Sequence, residues 1–295
     1  MDSLIGALDF LSQNPTQRVL FVSHYDSQMR GPKGNQVDLI GELQTIYSGR
    51  IAFIPSLRVT LDHTNVARET TFRSRSLLFL GIALVAAQAT STLNIVVPEN
   101  GTVSLNFPLS PSRRSSCSTR TTHPTVIDAI LSIWKLLSIN TDVRNPYEFQ
   151  TKGEMVNGCK DSANLFRLAT KSNSCGKRGH RAHWTVPGAS HCGFCMPCIY
   201  RRASLLNIGD TTTYGNSINS LIPFLSKKSQ DVGACLDFLS NPLTKEEIKQ
   251  ELIVNGVKNL SKINQYADVV CRTRQELRNW VNTVGNSTIR SKVGS

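Results

Sequence analysis

The sequence predicts an α/β protein: a parallel sheet with helices on both faces. Three observations carry that expectation. Short apolar runs rich in β-formers alternate with helical patterns over residues 1–140, the arrangement of βαβ units. The chain has 295 residues, 40% of them hydrophobic and 18% charged, enough to bury a core without staples. No apolar run approaches the about 20 residues that a membrane span requires.

The elements follow in order. Leu4, Ile5, Leu8 and Leu11 fall at helical spacing over residues 2–13, and Pro15 stops the pattern. RVLFVSH at 18–24 reads as a buried strand. A helix over 36–47 leads to a second strand, IAFIP at 51–55, ended by Pro55. SRSLLFLGIALVAAQAT opens on serine caps and is helical to about Thr90. Its apolar stretch at 77–87 reads as a buried core helix. NIVVP at 94–98 is the third strand, followed by the turn ENG. Residues 108–124, rich in Pro, Ser, Thr and Arg, form a loop whose length points to function. A helix spans 125–139. TKGE at 151–154 fits a capping box, with Thr151 as N-cap and Glu154 reaching back. CIYRRASLL is helical, and beyond about 230 the chain is helical and polar, with TKEE at 244–247 as another helix start. The expected division is an α/β domain over 1–225, including a cysteine lobe at about 171–207, and a helical extension over 226–295.

The formal net charge of +12 suggests an anionic partner, either nucleotide, nucleic acid or an acidic protein surface; the alternative is charge spread for solubility. MDSLIGALDF has neither a basic n-region nor a cleavage site, so the expected location is cytoplasmic, with no membrane association. A reducing compartment shifts clustered cysteines from disulfides toward metal.

HCGFCMPCIYRR at 191–202 holds such a cluster. Cys192, Cys195 and Cys198 stand at two successive C-x-x-C steps, and Cys175 can supply a fourth thiolate from a separate loop. Sulfur-rich tetrahedral sites select zinc or iron–sulfur. The ferredoxin run needs a fourth cysteine four residues on, where this chain has Arg202, so the expectation is a structural zinc. His180, His183 and His191 are alternative ligands for the place of Cys175, with a surface or hydrogen-bonded role expected for each. Cys117, Cys159, Cys235 and Cys271 read as small buried hydrophobes.

Several stretches together carry a resemblance. MDSLIGALDFL resembles the second half of the Ser-Gly-Gly-x-Asp-Ser loop, and the helix after it, in PP-loop ATP pyrophosphatases. In that loop backbone amides and a helix N-terminus cradle phosphate. The cysteine pattern followed by arginines, and TFRSRSLLFLGIALV, resemble the 7-cyano-7-deazaguanine synthase (QueC) family. VSHYDS, PENGTVSLNFPLSPSRRSSCSTRTTHP, NPYEFQTKGEM and SHCGFCMPCIYRRASL resemble, within that family, the QueC-like proteins of Qat anti-phage defence systems. The likeness covers about residues 1–215.

It implies a Rossmann-like domain of the adenine nucleotide alpha hydrolase type with a structural zinc. It also implies ATP-dependent adenylation, with magnesium, of a 7-deazaguanine carboxylate, then attack by a nitrogen nucleophile to give a nitrile or an amide. Other proteins of the same defence system are implied as partners. By position, Asp2 and Ser3 would sit at the ATP phosphates and Arg73, Arg75 and Ser76 near the nucleotide or deazaguanine. Lys152 would reach phosphate, Asp2 and Lys152 serving catalysis. Arg120, Thr121 and Thr122, in STRTTHP, would meet the substrate. The Ser-Gly-Gly and the strand before it are absent from the sequence, which reads as a start codon assigned internally, with Met1 the x of the motif; the alternative is a real truncation. FRSRS also has serine where the family often has glycine and asparagine.

Residue chemistry alone keeps other readings open. Arg113, Arg114 and Arg120 suggest an anion site on the long loop. Lys177, Arg178, Arg181, Arg201 and Arg202 surround the cysteines and would suit nucleic acid in a non-catalytic binding protein, or would simply dress a metal lobe. A tRNA-modifying PP-loop enzyme is a third possibility. Lys152 has the wrong sign of charge for a helix start unless an anion lies nearby, with the first-turn amides of its helix expected to point outward; otherwise it faces solvent.

Overall fold

The computed structural model describes residues 1–24, 30–54, 57, 75–110, 120, 122–178, 181–220 and 230–294, with the backbone alone for 30–33, 75, 76 and 183. Helix α1 (Asp2–Gln13) buries Leu4, Ile5, Leu8 and Leu11, as their spacing requires. Strand β1 (Val19–Phe21), helix α2 (Arg30–Ile46) and strand β2 (Ile51–Phe53) follow. The two strands pair in parallel, with Val19 opposite Ile51 and Phe21 opposite Phe53. Helix α3 (Arg75–Ala89) leads to β3 (Asn94–Val96), which pairs in parallel with β4 (Asp142–Arg144), Ile95 opposite Val143. Helices α4 (Gly101–Leu105) and α5 (Pro124–Leu136) lie between those two strands in sequence. Among the described residues the sheet is thus two parallel pairs, β1–β2 and β3–β4, with no ladder joining them. This is a mixed α/β architecture with a small parallel sheet.

Helix α1 touches both halves. Its apolar face packs with Leu43 of α2 and Ile51 of β2, and also with Tyr147 and Met155 beyond β4. A side-chain carbon at Gly6 would overlap the Pro98 ring, so glycine there lets α1 approach the segment leaving β3.

Helix α3 departs from expectation. Leu80 and Ala87 are buried against β3, β4 and α5, but Leu77 is 62% and Val85 70% exposed. The run has no polar side, so a helix covered on one face only leaves apolar residues outward. No helix among the described residues is long and apolar enough to cross a membrane.

Helices α6 (Lys152–Asn157), α7 (Ser162–Leu168) and α8 (Met196–Ser204) carry the chain past the cysteines, and α9 (Gln230–Ser240), α10 (Lys245–Val254), α11 (Ile263–Val284) and α12 (Ser287–Ser291) complete it. The expected capping box is present, Thr151 with Glu154 on α6, and the helix start expected at TKEE is a second one, Thr244 with Glu247 on α10. The C-terminal helices share one apolar core with the cysteine lobe, in which Cys192 and Cys198 lie with Leu236, Val269, Leu277 and Trp280.

Candidate functional site

Cys175, Cys192, Cys195 and Cys198 come together, all buried, with every sulfur within 4.8 Å of the others. Four thiolates at about 2.3 Å from one tetrahedral ion stand about 3.8 Å apart, and the Sγ atoms of Cys192 and Cys198 are 3.8 Å apart. That separation is far beyond a disulfide bond. The donor set and spacing fit a single metal ion.

The local chain explains the convergence. Gly193 adopts φ +86, and any side chain on it would strike the Asn216 carbonyl. Asn216 in turn donates to the Cys192 carbonyl at 3.3 Å. Backbone amides then point at sulfur: Lys177 and Cys192 donate to Cys175 Sγ at 3.4 and 3.3 Å, and Phe194 and Cys195 to Cys192 Sγ at 3.5 and 3.3 Å. Such bonds orient ligands and stabilise negative sulfur. Hydrogen bonds from the neighbouring thiols hold Cys175 far below the usual thiol range. Gly193→Ala should therefore lower thermal stability by the equivalent of about 1–3 kcal/mol, from strain and the lost turn together. An unchanged melting temperature would contradict this account of the turn.

His191 takes the hydrogen-bonded role: its Nδ1 meets Ser190 Oγ at 2.9 Å and its Nε2 accepts from the Ser174 amide at 3.3 Å. His180 and the side chain of His183 lie outside the described residues. Cys159 and Cys235 are buried, Cys271 is partly so, and Cys117 is outside the description. Arg201 is 0% exposed and donates to Ser172, Ala169 and Thr212, tying α8 to the turn after α7. Arg202 lies over the rings of Tyr214 and Trp280 and donates to the Gly193 carbonyl. These two arginines dress the metal lobe from inside; neither is spread on a solvated face.

A second group of polar residues gathers at the carboxyl end of β3. Asp2, in the first turn of α1, pairs with Lys152, which is only 6% exposed. Asn100 caps α4 by accepting from the Val103 amide at 3.1 Å, which fixes its amide so that Nδ2 donates to Asp2 at 2.6 Å. Burial alone would raise the Asp2 carboxyl; the Lys152 ammonium overcomes it and holds it at about 2. Glu99 is fixed through its backbone by Asn145, its amide donating at 3.2 Å and its carbonyl accepting at 2.7 Å. Burial raises its carboxyl above the usual range, partly offset by the hydrogen bond from Thr122.

Lys152 thus does not face solvent, and the next two amides of its helix are already bonded. The Gly153 amide donates to Glu276 of α11 at 3.2 Å, the Glu154 amide to Thr151 Oγ1 at 3.1 Å, and Thr151 Oγ1 to Glu276. Arg272, one turn earlier on α11, pairs with Glu154 at 2.6 Å. Helix α11 therefore grips the segment that carries Lys152.

Ser3 is exposed on α1. Arg75 and Ser76 begin α3, but their side chains, like Arg73, Arg113, Arg114 and Thr121, are outside the described residues. Arg120 is bound to Asn255 through two bonds, at 2.7 Å to its carbonyl and 2.8 Å to its side chain. Thr122 donates to Glu99. The sequence reading missed Glu99, Asn100, His123 and Glu276; only Asn100, preceding a short apolar helix, had a cap signal that could have been read. No family model, curated protein or solved structure matches the chain.

Proposed function

We propose that this protein is an ATP-dependent ligase that adenylates a 7-deazaguanine carboxylate and passes the acyl group to a nitrogen nucleophile, with zinc in the four-cysteine centre. The observation that carries the reading is the buried Asp2–Lys152–Asn100 cluster, formed where a helix N-terminus meets the carboxyl end of β3. In parallel α/β sheets ligands bind outside the carboxyl ends of strands, where the chain turns from one half of the sheet to the other. In this reading the pairs β1–β2 and β3–β4 would be the two halves of such a sheet, with the turn between β2 and β3. A role in anti-phage defence rests on the resemblance of the motifs alone.

In this reading Asp2 would hold Mg²⁺, which would neutralise phosphate charge, and Lys152 would meet phosphate oxygens. The substrate carboxylate attacks the α-phosphorus, the bond to the β-phosphate oxygen breaks, and pyrophosphate leaves. The nitrogen nucleophile then attacks the acyl carbon and AMP departs. The reading requires the Ser-Gly-Gly half of the phosphate loop, so its test uses the chain extended upstream through those residues.

That protein, given ATP, Mg²⁺ and 7-carboxy-7-deazaguanine, should release AMP and pyrophosphate. Asp2→Ala and Lys152→Ala, assayed where each remains folded, should slow release tenfold or more, a barrier of about 1.4 kcal/mol. Equal rates in all three proteins would remove the pair from the reaction. Zinc is preferred because four buried cysteine sulfurs, close enough to share one ion, make a closed all-sulfur site. Metal analysis should find one zinc per chain; iron with sulfide would overturn the assignment.

A further inference from the structure

His123 stands at the head of α5, 1% exposed, and neither ring nitrogen has a hydrogen-bond partner among the described residues. Leaving a buried polar group unpaired costs about 1–3 kcal/mol, and such groups persist where a ligand or water completes them. The polar groups around it are committed. Its own amide donates to the Arg120 carbonyl, and its carbonyl accepts from Val126 and Ile127. Arg120 binds Asn255, the Thr122 carbonyl accepts from Ser104 at 2.7 Å, and Thr125 donates to the Gly256 carbonyl at 2.6 Å. Among the described residues of this segment the imidazole is the exception. The preceding residue, Thr122, is bonded to Glu99, which places the segment at the carboxyl end of β3.

We propose that His123 is a ligand-contacting residue, its ring hydrogen-bonding an uncharged purine-like heterocycle seated beside the carboxyl end of β3. It deepens the function proposed above and rests on that reading for the place of the site. Burial, and then the Arg120 charge, push the imidazole down to about 4, so at neutral pH it offers one N–H and one lone pair. That pair of groups suits the edge of a heterocycle, where ring N–H donors and carbonyl or ring-nitrogen acceptors lie side by side. A phosphate would gain one hydrogen bond and no charge from it. Ordered water on both nitrogens is the competing explanation.

The test is a titration of the full chain, labelled with ¹⁵N-histidine, with guanine, hypoxanthine and 7-carboxy-7-deazaguanine. Long-range ¹H–¹⁵N spectra report each ring nitrogen. At least one probe should shift the His123 nitrogens, and that probe should bind His123→Phe at least tenfold more weakly. His123→Gln, which keeps one donor and one acceptor, should lose less and serves where the phenylalanine variant does not fold. If no probe moves the His123 nitrogens, or if a probe binds His123→Phe as tightly as wild type, the inference is overturned. Guanine shifting His123 in a protein that releases no AMP would keep this inference and discard the adenylation. AMP release with His123 unmoved would do the reverse.

Discussion

With zinc in the cysteine centre, as proposed, Cys195→Ser is expected to lose it and unfold the half of the protein built around it. Apparent binding free energies of structural zinc sites are about 10–16 kcal/mol, comparable with the whole stability of a domain, about 5–15 kcal/mol. Here the cysteines are not an appendage. Cys192 and Cys198 lie in the same core as α9 and α11, and Arg202 bridges from the knuckle to Trp280 of α11. Loss of the ion would leave three buried thiols of the same cluster with nothing to hold them together. Metal analysis should find substoichiometric zinc in the variant, and its melting transition should fall steeply or split in two. Full occupancy with an unchanged transition would show that the four sulfurs meet for packing alone.

Lys152→Met is expected to destabilise the protein by about 3–5 kcal/mol at pH 7, because it leaves the Asp2 carboxylate buried without its counter-charge. The double variant Asp2→Asn with Lys152→Met should recover much of that loss, since removing both charges of a buried pair costs far less than removing one. Acid titration supplies an independent sign. The Asp2 carboxyl is held at about 2, below its unfolded value of about 3.9, so its contribution is complete above the unfolded value and is lost as pH falls through about 2. Wild type should therefore lose about 2 kcal/mol between pH 4.5 and 2 that Asp2→Asn does not. Chemical denaturation at pH 7 and along that range measures both effects. A Lys152→Met protein as stable as wild type would return the lysine to solvent.

What could be read in the sequence was what is local. Thr151 with Glu154, and Thr244 with Glu247, are capping boxes because the partners stand three residues apart. The cysteine centre was legible because C-x-x-C spacing sets where the sulfurs can go. Strands β1, β2 and β3 are dense in β-formers, whereas β4 is Asp-Val-Arg, a single apolar residue with nothing to mark it. Helix α4 is five residues long, and the Asn100 that caps it looked like part of a turn. The pairing of Asp2 with Lys152 joins residues 150 positions apart, and Glu276 reaches Thr151 across 125, so no pattern along the chain announces either. Arg201 follows the cysteines among cations that suit nucleic acid or the dressing of a metal lobe; helix α8 turns it inward, where three acceptor residues receive it.

The most direct measurement of the central claim follows an oxygen atom. The chain extended through Ser-Gly-Gly, loaded with zinc, is given ATP, Mg²⁺, a nitrogen donor and 7-carboxy-7-deazaguanine labelled with ¹⁸O in its carboxylate. If the carboxylate attacks the α-phosphorus and the nitrogen nucleophile later displaces AMP at the acyl carbon, one labelled oxygen stays with AMP and none enters pyrophosphate. Mass spectrometry should find singly ¹⁸O-labelled AMP in proportion to product. AMP free of label, or ADP and phosphate in its place, would contradict the adenylation and with it the role given to Asp2 and Lys152.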